Sequence, residues 1–191
     1  MNSHADWHVE FLSDALPQTP LPGTVYIDIG QQLCPGIIDH HQSGAPTCAA
    51  KEILKHPEFV RDHLLGLCAD RGQPIHTLST PLSYCLRTHV QPDWDAILAC
   101  YFAVRIMEDG EITEHMHCLA NEALEWDQGL ASIDVELQEL SPALLYAFAQ
   151  IDYIDDGDKL YFGFRMLDFL CNSPTRAEKN AAQPCRATYE T

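Results

Sequence analysis

The sequence predicts an α/β domain with a mostly parallel sheet flanked by helices. Three observations carry this reading. Short β-branched runs alternate with helical periodicities in the first half of the chain. Helical patterns dominate the second half. The predicted strands end on Asp28, on Asp39-His40-His41 and on His89, which is where α/β domains present their chemistry. With 191 residues and 46% hydrophobic composition, the chain can bury one core. The boundaries read as one domain over 1–171 and a polar tail over 172–191, a stretch with two prolines and no periodicity.

The elements follow in order. "HADWH" near the start reads as an exposed segment, with His4 and His8 facing solvent. "GTVYIDIG" (23–30) sets Val25, Ile27 and Ile29 on one face and Asp28 on the other, the period of a strand. "GIID" (36–39) is a second strand. "APTCAAKEILKHPEFV" opens a helix with Thr47 as N-cap. Over 59–72 a helical period runs through Val60, His63, Leu64 and Leu67 and stops at Gly72. "PLSYCLRTH" (81–89) is a third strand. "DWDAILACYFAVRIMEDG" (93–110) reads as an amphipathic helix with Ile97, Leu98, Tyr101, Phe102 and Ile106 inward, ended by Asp109-Gly110. Helices follow over 111–126 and 141–154, the latter with Ser141 as N-cap and Pro142 at its first position. His115 and His117, two apart on the first of these, diverge. "YFGFRMLDFL" (161–170) is apolar and packs on the body.

Charge narrows the function. The net charge is −17, from 28 acids against 11 Lys and Arg. Duplex nucleic acid is held through Lys and Arg contacts to phosphate, so a long duplex is a poor partner. An anionic substrate would need bound metal to neutralise it. No run reaches the ~18 apolar residues of a membrane span, and the start lacks the basic and apolar regions of a signal peptide. The eight cysteines form no CxxC pair and read as reduced thiols of a cytoplasmic protein.

"HVQPDWDA" (89–96) carries His89, Asp93 and Asp95, follows a predicted strand and opens a predicted helix. Together with Asp28 and Asp39-His40-His41 it offers carboxylates mixed with imidazoles. That donor set suits Mn²⁺, Fe²⁺, Mg²⁺ or Zn²⁺, and two such ions are commonly bridged by a carboxylate.

These motifs resemble those of the DHH phosphoesterase superfamily. "HVQPDWDA" is similar to its His-x3-Asp-x-Asp motif, "IIDHHQ" to its name-giving motif, and "VYIDIG" to its single-Asp motif. The order differs: the single Asp and Asp-His-His precede His-x3-Asp-x-Asp here, as in a circular permutation. The resemblance implies a DHH-like domain with two Mn²⁺ or Mg²⁺ ions. Asp28 would bridge them, His89 and Asp93 would complete one site, and His40, Asp95 and Asp127 the other. Asp152, Asp155 and Asp156 compete with Asp127 for the last place. Asp39 and His41 are implied as catalytic, Asp39 orienting its neighbours and His41 facing the substrate phosphate. Arg87 and Arg105 are the nearest phosphate-side donors in sequence.

The implied activity is a phosphohydrolase or phosphodiesterase acting on a small or single-stranded nucleotide through a two-metal-activated hydroxide. Pyrophosphate and polyphosphate are the next substrates. Relatives carry a second, Gly-rich substrate domain that nothing here resembles. The expectation is then a minimal catalytic domain, a chain cut short, or one whose cleft is completed by a homodimer mate or another partner; a catalytically silent binding subunit is the rival reading.

Overall fold

The computed structural model of the chain describes residues 6–13, 19–42, 44–66, 83–129, 149–151 and 154–172. These residues form an α/β fold. The strands are β1 (Asp6–Leu12), β2 (Thr24–Ile27), β3 (Leu33–Cys34), β4 (Ile37–Ile38) and β5 (Ser83–His89). The helices are α1 (Ala49–Lys55), α2 (Pro57–Leu64), α3 (Trp94–Glu108), α4 (Glu114–Asp127) and α5 (Asp156–Asn172). The sheet order is β1-β5-β2-β4-β3. Its pairings are parallel except for β3 against β4. The predicted tail and most of the predicted 141–154 helix lie outside the described residues.

Alternation sets the faces of the sheet. Along β5, Tyr84, Leu86 and Thr88 are buried while Cys85, Arg87 and His89 stand on the other, half-buried face. Central β2 is buried on both faces, as a parallel strand between neighbours must be. Val25, Ile27, Ile38 and Leu86 meet the helices in one core, and Trp7, Val9 and Phe11 of β1 join its margin.

α3 is the hub, packed against α1, α2, α4 and α5. Its burial corrects the expected amphipathic pattern, for every residue from Trp94 to Ala103 is buried. Ala96, Ala99, Cys100 and Ala103 are small where the neighbours close in, and a helix apolar all round belongs in a core.

Four further expectations change. The N-terminal segment is not a free arm: Asp6–Leu12 is an edge strand in register with Ser83–His89, although His8 does face solvent. The helix expected from Thr47 through Val60 breaks at His56, where Pro57 has no N–H to continue α1 and instead starts α2. α2 then stops at Leu64, before a left-handed Gly66, and the rest of the expected 59–72 helix lies outside the described residues. Finally, β2 ends at Ile27, so Asp28 and Ile29 are not strand residues.

α5 lies close on α3 at Gly163, where an added Cβ would come 2.6 Å from Ile97 Cγ2. Gly→Ala in an open helix stabilises by about 1 kcal/mol. Here the expected outcome is reversed: Gly163→Ala lowers the urea-derived unfolding free energy by about 1–3 kcal/mol through overpacking. In an Ile97→Ala background the same change costs nothing, because the opposing methyl is gone.

Candidate metal centre

The sheet order places β5, β2 and β4 side by side and parallel, so their carboxyl ends share one edge. Asp28 follows β2, Asp39-His40-His41 follows β4, and His89 ends β5. Asp28 sits in the left-handed region at φ 55, which a non-glycine residue adopts at a cost of about 1–2 kcal/mol. That turn directs its carboxylate between the neighbouring strand ends rather than along the pleat.

Asp28 is the buried centre. Its Oδ2 lies 3.3 Å from His89 Nε2, and its Oδ1 lies 3.3 Å from His40 Nε2 and 3.7 Å from His41 Nδ1. Oδ1 nevertheless makes no hydrogen bond of good geometry. The candidate ligand atoms of Asp28, His40 and His41 lie within 4.8 Å of one another, and so do those of Asp28, His89 and Asp93. Both groups contain Asp28.

The His89 tautomer adds a constraint. Its Nδ1–H donates to the Val90 carbonyl at 2.9 Å. A neutral ring then aims the Nε2 lone pair at the Asp28 carboxylate. Two acceptors face each other, and a proton or a cation must lie between them. An imidazole fixed by its far nitrogen in this way is the usual form of a metal ligand.

Electrostatics agree. Burial alone would raise the Asp28 carboxyl, but the rings of His40 and His89 outweigh it and hold the group below its ordinary range. Burial would lower both imidazoles, yet Asp28 lifts His40 and His89 to about 9. Asp93 is raised by burial and by the charge of Asp28. Asp95 is pushed up to about 8 by burial and by Asp28 and Asp93. The cluster is crowded with acid and short of positive charge.

The other expected residues fall into place one by one. Asp39 is buried, accepts from the Gln31 N–H at 2.6 Å, from the His41 N–H at 2.9 Å and from His41 Nδ1 at 2.7 Å. It thus orients the loop and the His41 ring. The His40 and His41 rings touch at a tilt of 35°, their centroids 4.4 Å apart. The His40 side chain is 10% exposed and that of His41 57%, so one faces in and the other out.

Asp93 is the N-cap of α3, one oxygen accepting from the Ala96 N–H at 3.0 Å. Asp95 differs. Its two oxygens accept from the N–H groups of Ala49 and Ala50 at 2.6 and 3.0 Å. Asp127 ends α4 and lines a cavity of ≈150 Å³ with Asp93, Asp95 and Trp126. The charge of Asp127 reaches His40 and Asp93.

Asp155 instead accepts from the Gly157 N–H at the start of α5, and Asp156 accepts from the Gln91 N–H at 3.0 Å. Asp152 lies outside the described residues. Arg87 is engaged by Glu10 at 2.6 Å and by the Tyr26 hydroxyl at 2.9 Å. Arg105 pairs with Asp109 at the far end of α3, roughly 18 Å along the helix from Asp93 at 1.5 Å per residue. Neither arginine is free toward the cluster.

Sequence reasoning did not find the contact of Asp95 with α1, nor the bond from Asp156 that braces the turn between His89 and Asp93. A strained Gln91 at φ 53 in that turn leaves no sequence signal.

No family model, curated protein or solved structure matches the chain. The Asp/His groups are of a kind that could hold a metal ion, and the orphaned Asp28 oxygen and the orientation of His89 both fit one.

The raised imidazoles predict a pH signature. His40 and His89 move from an ordinary 6.5 to about 9 in the folded protein. Their pairing with Asp28 therefore stabilises fully below about pH 6.5 and is lost as pH rises through about 9. Thermal denaturation of chelator-treated protein should show Tm falling across that window. Added Mn²⁺ should reverse the trend, because it competes with protons for the same nitrogens and binds more tightly as pH rises.

Proposed function

We propose that this chain is a Mn²⁺-dependent phosphohydrolase that cleaves a phosphodiester in a small or single-stranded nucleotide. The observation that carries the reading is the buried Asp28 carboxylate, shared by two candidate ligand groups, with His40 at one oxygen and His89 at the other. His89 and Asp93 would hold a cation on one side. His40, with Asp95 and Asp127 nearby, would hold one on the other. Imidazole among carboxylates favours Mn²⁺ over Mg²⁺, which prefers oxygen. When bound, such a pair of ions supplies Lewis acidity at phosphorus and lowers the pKa of water.

The protein's own groups do the rest. Asp39 accepts from His41 Nδ1, which leaves Nε2 on an exposed ring. From there His41 hydrogen-bonds a phosphoryl oxygen or protonates the leaving oxygen. Among the described residues, Arg87 and Arg105 are both committed elsewhere, so His41 is the donor best placed for substrate. The acidic surface favours a short, lightly charged phosphodiester over a long polyanion.

Purified protein is expected to hydrolyse bis(p-nitrophenyl) phosphate with added Mn²⁺ and not with chelator. His41→Ala should keep its metal content and lose turnover by ~10²–10⁴-fold. If His41→Ala instead purifies with half the metal, then His41 is a ligand and the donor role belongs elsewhere.

A further inference from the structure

We propose that Asp95 is a positioning residue: it clamps the Asp39-His40-His41 loop to the core through the start of α1, and a cation at Asp28 and His40 tightens the same clamp. The second half of this rests on reading the Asp28 cluster as a cation site.

The observations begin at α1. Its N-cap is Cys48, which makes no side-chain capping bond. Thr47, the local candidate, turns away, its hydroxyl donating to Glu52 and accepting from Lys55. The first amides of α1 would be orphans, and the start of a helix leaves them costly to bury. Asp95 meets two of them, from another helix 46 residues further along the chain. Two acceptor oxygens of one side chain on two successive amides tie α1 to α3 at a fixed distance.

Asp95 is also well anchored. It lies fully buried in the first turn of α3, the helix packed against four others. The loop that carries His40 and His41 is thus held at both ends, by β4 in the sheet and by Asp95 at α1. The oxygen that accepts from Ala49 lies 3.8 Å from His40 Nε2. A carboxylate has about four lone-pair sites. Two serve the amides, and those left over are within reach of His40 and of anything His40 binds. Occupancy at the metal cluster and docking of α1 are then a single equilibrium.

The test is hydrogen–deuterium exchange at Ala49 and Ala50, read by mass spectrometry with fragmentation to single amides, with Mn²⁺ or with chelator. In the unmutated chain, Mn²⁺ is expected to slow exchange at these two amides about tenfold, with no change across α2. Asp95→Asn keeps the size but offers one acceptor and turns an NH₂ toward the second amide. Its Ala49 and Ala50 amides should exchange at least about tenfold faster and ignore Mn²⁺. Titration calorimetry should still find Mn²⁺ bound through Asp28, His89 and Asp93.

If Asp95→Asn protects Ala49 and Ala50 as well as the unmutated chain does, the clamp is wrong. If Mn²⁺ leaves exchange at these amides unchanged in the unmutated chain, the coupling is wrong, and that arm needs no variant to fold. A chain that binds Mn²⁺, shows the coupling and hydrolyses nothing sinks the phosphohydrolase and leaves this inference standing.

Discussion

A carboxylate buried between imidazoles governs this structure. Taking an ionised Asp out of water costs several kcal/mol unless partners surround it. Asp28 has such partners only because two other chain segments, at the ends of β5 and β4, stop beside it. Everything nearby follows from holding them there: the left-handed turn at Asp28, the bond from His89 to Val90, and the grip of Asp39 on His41. Protons on His40 and His89 can satisfy the charge. A cation does it better, since it also relieves the repulsion among Asp28, Asp93 and Asp95.

The fold supplies this arrangement cheaply. Parallel pairing brings the carboxyl ends of β5, β2 and β4 to one edge without any long-range design of the loops. α3 starts at that edge with Asp93 as its own cap and Asp95 as a cap for α1. Two helix N-termini therefore point their positive ends at the cluster. The acids are tolerated together partly because two of them serve helix starts.

Much of this could be read from residues alone. The strand ends at Asp28 and His89 are marked by β-branched runs, and His89, Asp93 and Asp95 have a spacing that straddles a strand-to-helix turn. α3 was legible as a helix but not as a hub, because a buried helix and an amphipathic one differ in the placement of alanines. β1 was missed although Trp7, Val9 and Phe11 alternate with Asp6, His8 and Glu10. The charged half of that alternation, on an edge strand, looks like a solvated arm. The break at Pro57 was legible in principle, since proline ends the helix before it. The role of Asp95 was not: its partners are backbone amides far away in the chain, and backbone carries no sequence signal. Arg87 and Arg105 illustrate the opposite error, nearness in sequence without freedom in space.

The most direct test is an anomalous-scattering map from crystals soaked in Mn²⁺. Two peaks should flank Asp28, one within ligand distance of His89 and Asp93 and the other of His40. A map with no peak at Asp28, or with Mn²⁺ held only by acids away from it, would contradict the account.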